Sequence, residues 1–272
     1  MTWRDRSDIT PRKLFTTEET DGVVILTFCN EAHDLLGMDL AMIDQLWSFF
    51  AAQERHPAKA IVLIAPPSIL GPAGIDRLLA AHGIHGAAES CDEASTPAQS
   101  RTLDFIREEN GFKRFTAAVR NTDAFAIAGL SGAIVLPLLG PLLSCDFRVA
   151  ATDLVIVNRM VDWLVAPVGG LPWHLTALLG RREAGEVVQS DLAIQASEAL
   201  QRGLVDRVVP AERMRDTCID VARGIAARPW GNRAALKQVS SATGERLEDY
   251  LAREEGILEK ALARIPTEPR PT

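Results

Sequence analysis

The chain has 272 residues, 47% hydrophobic, 24% charged and 6% aromatic, and a formal net charge of -7. That is length enough for one large core. An acidic balance with no basic block argues against nucleic-acid binding and against a polybasic membrane anchor, both of which need clustered Lys and Arg. Cys29, Cys91, Cys145 and Cys218 lie far apart with no CxxC pair, so they read as reduced structural thiols, with neither a disulfide frame nor a zinc site. The opening MTWRDRSDITPRK is charged and leads into no apolar run of secretory type, which makes a cytoplasmic protein the expectation.

Along the chain, a strand is expected at Val23–Phe28, after the turn Asp21–Gly22. A helix from Met38 to Phe50 carries Met38, Met42, Ile43, Leu46, Trp47 and Phe50 at a spacing of three to four. The all-apolar run Ala60–Ala65 suits a strand buried on both faces. PPSILGPAG leads into a short helix near Asp76, and residues 81–101, rich in Ala, Ser, Gly and Glu, read as a mobile excursion. A helix over 103–119 gathers Phe105, Phe112, Phe115 and Val119 on one side.

Residues 124–145 run for 22 positions without a charge, long enough to cross a bilayer. Gly129, Gly132, Pro137, Gly140 and Pro141 interrupt them, and Asp123 and Asp146 bracket them with no basic flank. A buried strand, a glycine turn and a buried helix fit this pattern better than a span, and no membrane partner is expected. Strands follow at Phe147–Ala151 and Leu154–Val157. ASEALQRG (196–203) reads as a helix with a Ser cap and a Gly stop, and Val205–Val209 as a strand closed by Pro210. Helices are expected over 211–227, 232–241 and 246–264. The sum is an α/β core over 1–210 and a C-terminal helical region over 211–272.

At this point the sequence resembles the crotonase (enoyl-CoA hydratase/isomerase) superfamily. The carrying pieces are DGVVILTFCN (21–30), KAIVLI (59–64), GID (74–76), AIAGLSG (126–132) and SCDFRVAATD (144–153), then the glycine-rich run 166–180. The most specific piece is ASEALQRGLVDRVVP (196–210). The resemblance implies a crotonase-type fold of repeated ββα units with C-terminal helices, assembled as a homotrimer or hexamer. In the tail, Leu247, Leu251, Ile257, Leu258 and Leu262 among charges suit a docking face at a subunit boundary. It also implies a pocket for a CoA thioester as substrate, with no separate cofactor.

The family stabilises an enolate oxygen with two backbone N–H groups from two glycine-rich turns, a geometry that needs preorganised donors. Here those turns are GPAGID (71–76), with Gly71 and Gly74, and the segment 131–146, with Gly132. Their donor positions fall on Pro72 and Pro137, and proline has no N–H. One missing donor of this kind costs about 10²–10³ in rate. The two glutamates of the hydratase reaction correspond to Gly140 and Met160, which cannot move protons. The lysine that many relatives place after the first strand is absent, with His33 near its place.

Two other residues are candidate bases. Asp162 lies on the loop of Met160, where an apolar cleft would raise its pKa, or it is a solvated partner of Arg159. His174 lies in the first turn of the helix after Gly169–Gly170. It is offset by two positions from a histidine of superfamily members that hydrolyse carbon–carbon bonds in cyclic diketones, and otherwise caps the helix or sits at the surface. Ser131 lacks the G-x-S-x-G frame of a nucleophile, and His82 and His85 lack a third metal ligand. No metal is expected. Three functions follow: a superfamily member with a remodelled pocket for an acyl-CoA or related apolar carbonyl compound that is no longer a hydratase; an enzyme of different mechanism (lyase, isomerase or C–C bond hydrolase, with or without CoA) using Asp162 or His174; or a non-catalytic assembly or regulatory protein, that is, a pseudoenzyme.

Overall fold

The computed structural model describes residues 14–29, 40–55, 58–65, 71–73, 113–136, 139–158, 169–191, 193–228, 246–247 and 249–252. Two strands open it, β1 (Phe15–Thr20) and β2 (Val23–Phe28), paired antiparallel with Thr20 opposite Val23. The two residues between them, Asp21 and Gly22, both have positive φ, 55° and 77°. Such a tight turn matches the twist of the two strands. The sequence announced the turn but not β1, because FTTEET has no apolar alternation. It is an edge strand with five exposed positions.

Helix α1 (Leu40–Arg55), strand β3 (Ala60–Ile64) and helix α2 (113–121) follow. The uncharged stretch then resolves into β4 (Phe125–Leu130), a turn at Gly132, β5 (Ala133–Val135) and the five-residue helix α3 (Leu139–Leu143). Every residue of α3 is buried, so the run is core, and no helix among the described residues is long and apolar enough to cross a membrane. Strands β6 (Phe147–Ala151) and β7 (Val155–Val157) precede helix α4 (Leu171–Gln189), which kinks at Gly180. The chain continues through β8 (Ala193–Gln195), α5 (Ala196–Gln201), β9 (Arg207–Val209) and α6 (Ala211–Ala226).

Among the described residues the strands form a six-stranded sheet, β1-β2-β3-β4-β6-β9, parallel apart from β1, and a smaller one, β5-β7-β8. Side chains alternate across the large sheet as a period of two requires. Val24, Leu26, Ile61, Leu63, Ala126 and Ala128 enter the main core, whereas Val23, Ile25, Ala60, Val62 and Ile127 meet Met214, Cys218 and Ala222 of α6. Both faces are therefore covered, which is why KAIVLI reads as continuous hydrophobicity. Burial drives the Cys218 thiol up to about 12, which makes it an inert packing group. The first helix of the 211–272 region thus packs on the sheet of the core.

Three local expectations change. The N-cap of α5 is Gln195, in extended conformation and without a side-chain bond, so Ser197 is no cap. The strand expected from Val205 starts at Arg207, because the N–H groups of Leu204 and Val205 turn back to the Ala199 carbonyl to close α5. Cys145 sits in the turn after α3, outside the helix, and is buried. The expected helices near Asp76 and over 232–241, the 81–101 excursion and residues 253–264 lie outside the described residues.

Candidate functional site

The site expected from the sequence centres on α3, and both ends of that helix are held by its neighbours. At the C-terminal end, the Arg148 guanidinium donates to the carbonyls of Leu143 (3.3 Å), the last residue of α3, and of Cys145 (3.4 Å), just past it. The same guanidinium meets Asp206 at 3.0 Å, and Asp206 Oδ2 accepts the Arg148 backbone N–H at 2.8 Å. The Asp206 N–H returns a bond to the Arg148 carbonyl. Asp146 accepts the Ala126 N–H and donates its own to the Ala126 carbonyl, fixing where β4 and β6 begin to pair. The motifs SCDFRVAATD and GLVDRVVP therefore meet in space, and what they build is a clamp on α3.

The N-terminal end of α3 rests on the glycine pair that precedes α4. A β carbon placed on Gly140 would lie 2.5 Å from the Gly169 carbonyl oxygen, a distance real side chains do not adopt. That oxygen also accepts a bond from Thr116 Oγ1 of α2 at 3.0 Å. Gly169 and Gly170 both have positive φ, 68° and 74°, a conformation that only glycine adopts freely. Helix α2, helix α3 and the start of α4 thus converge on one bare stretch of backbone.

His174 lies one turn into α4, its N–H bonded to the Gly170 carbonyl at 3.0 Å. It is 3% exposed and neither caps the helix nor reaches the surface, which corrects that part of the expectation. Its Nε2 shares a 2.8 Å hydrogen bond with Ser144 Oγ, also 3% exposed, just past α3. Burial first, then the positive charges of Arg120 and Arg148, lower its pKa from 6.5 to about 3. The ring is neutral at physiological pH and stacks edge-on against Trp173, whose ring also carries the Arg120 guanidinium at 5.4 Å.

Of the other expected site residues, Gly71 is buried, Pro72 is half-buried at a helical position, and Gly132 turns the chain between β4 and β5 with φ 64°. Gly74, Pro137, Met160 and Asp162 lie outside the described residues. Thr116, Ser144 and the Gly169 carbonyl complete the seam around Gly140 and went unpredicted. Their types carry no chemical signal, and only the fold brings them together. Asn158, at the end of β7, donates to the carbonyls of Val187 (2.8 Å) and Ser190 (2.6 Å), closing the C-terminus of α4.

With this geometry, likenesses to known proteins become meaningful. Residues 101–265 match the family described as enoyl-CoA hydratase/isomerase, and the chain belongs to that family. Over 190 residues it is 26% identical to the mevalonyl-coenzyme A hydratase of Aspergillus fumigatus, covering 68% of this chain and 62% of that protein. Over 119 residues it is 30% identical to the ethylmalonyl-CoA decarboxylase of Bos taurus, 42% of this chain and 39% of that one. The chain therefore matches less than two thirds of the length of each of these relatives. The crystal structure of enoyl-CoA hydratase from Bacillus halodurans superposes with a TM-score of 0.73 at 16% identity, over 93% of this chain and 96% of that one. The fold is that of the crotonase superfamily.

Proposed function

We infer that the protein binds an acyl-CoA or a closely related carbonyl compound in a crotonase-type pocket and has lost enoyl-CoA hydratase chemistry. The observation that carries the reading is the contact at Gly140. The family resemblance places the first catalytic glutamate there, and the Gly169 carbonyl occupies the space where any side chain would begin. A carboxylate at 140 would need the α3–α4 seam to come apart. The proline positions expected at 72 and 137 point the same way, because an imino nitrogen offers no proton to an enolate oxygen.

Family membership and two named relatives support the ligand class. A hydratase and a decarboxylase carry different reactions, and what their names share is a coenzyme A thioester. His174 is read as a packing residue. At a pKa of about 3 its basicity is far below what proton abstraction near neutral pH requires. The proposal includes a homo-oligomer, as is common in the superfamily, testable by light scattering of the eluting peak.

Calorimetric titration with crotonyl-CoA, octanoyl-CoA, free CoA and free octanoate tests the binding, and a hydration assay on crotonyl-CoA tests the chemistry. The expected outcome is binding of acyl-CoA above free acid, with no hydration beyond buffer. Hydration by the unaltered protein overturns the reading of lost chemistry. Loss of any activity in Asp162→Asn would instead assign a base at Asp162 and a different mechanism.

A further inference from the structure

We propose that Leu247 and Leu251 form an intramolecular latch on the Gly169–Gly170 turn, and that releasing it opens the seam between α3 and α4. Leu247 and Leu251 stand one helical turn apart and so share a face. Both are buried, in a cluster with Trp173 that Ala117 and Tyr250 flank. A β carbon on Gly170 would lie 3.1 Å from Leu247 Cδ1, 3.4 Å from Leu251 Cδ2 and 3.6 Å from Thr116 Cγ2. The two leucines therefore rest directly on the bare backbone of the turn.

That turn is the hinge point of the site. On one side its Gly169 carbonyl presses against Gly140 and accepts from Thr116. On the other its Gly170 carbonyl takes the N–H of His174, which joins Ser144 beyond α3. Two consecutive glycines have few conformational restraints of their own, and here the surrounding side chains pack against them in a left-handed conformation. With the leucines withdrawn, Trp173 and the turn lose their cover, and the carbonyl is free to leave Gly140. Two of the five apolar residues of the tail, expected at a subunit boundary, are thus spent within the same chain. The latch governs access to the pocket, and in that respect rests on the acyl-CoA reading.

The test is hydrogen–deuterium exchange on the full-length protein, on Leu247→Asp/Leu251→Asp, and on Leu251→Ala as a milder form, with octanoyl-CoA titrated into each. Exchange over 169–175 is expected to quicken at least tenfold in the double variant while β3 and β4 keep their protection. The octanoyl-CoA Kd is expected to shift at least fivefold, whereas Leu251→Met alone leaves both as in the unaltered protein. Three results overturn the latch: unchanged exchange over 169–175, quickening that spreads to β3 and β4 in Leu251→Ala as well, or an unchanged Kd. Where the unaltered protein binds no octanoyl-CoA, the pocket reading fails, and the exchange data alone decide the latch.

Discussion

The two ends of α3 lie one helical turn apart and are built on opposite logic. At Leu143 the chain keeps charged, hydrogen-bonded residues that its family motifs carry: Arg148 closes the helix and Asp206 holds Arg148. At Gly140, where the resemblance calls for a carboxylate, it has backbone against backbone. A structural clamp and the position where the resemblance expects chemistry thus lie within five residues of each other.

The sharpest way to break this comparison is to remove Asp206. Asp206→Ala leaves the Arg148 guanidinium buried with only carbonyl partners, while its Nε already lacks a partner among the described residues. Unfolding in urea should show a loss of about 2–4 kcal/mol, somewhat below the loss for a fully buried pair because the Asp206 side chain is 31% exposed. A loss below about 1 kcal/mol would mean that the clamp is ornamental. A second effect of similar size is expected from acid. The unfolded imidazole of His174 takes a proton below its ordinary value of 6.5, whereas the folded one waits until about 3. Its contribution is thus fully present above 6.5 and falls as the pH drops, by roughly 1.4 kcal/mol per unit, or about 2 kcal/mol by pH 5. His174→Gln should flatten that part of the stability–pH curve, and an unchanged slope would assign the acid lability elsewhere.

At the glycine end, Gly140→Ala should cost about 1–3 kcal/mol through forced separation of α3 from the turn. Gly140→Glu should cost more and still give no hydration of crotonyl-CoA. A stable, hydrating Gly140→Glu variant would show that the seam yields easily and that only the acid was missing. The smallest effect is expected from Thr116→Val, which removes the bond to the Gly169 carbonyl and keeps the shape, at about 1 kcal/mol by thermal unfolding.

Much of this was legible in the sequence where the period was strong. The strands at 23–28, 60–64 and 147–151 and the helix over 211–226 carry mainly apolar runs or an amphipathic stripe, because each is buried by the sheet or against it. The edge strand β1 and the three-residue strands β5 and β8 escaped, since an exposed or very short strand leaves no periodicity to read. At the site, the sequence shows glycine at 140 where the resemblance expects an acid. That a side chain there would meet backbone could not be read, because the obstacle is a carbonyl 29 positions further along.

The sequence by itself determined the family, the α/β order of elements and the absence of a carboxylate at 140, since residue type and spacing are local quantities. Tertiary structure alone decided that Asp206 serves Arg148, that His174 is buried and neutral, and that the tail leucines rest on the Gly169–Gly170 turn. Each depends on which distant groups share a low-dielectric interior, and burial, charge proximity and steric exclusion exist only once the chain has closed on itself.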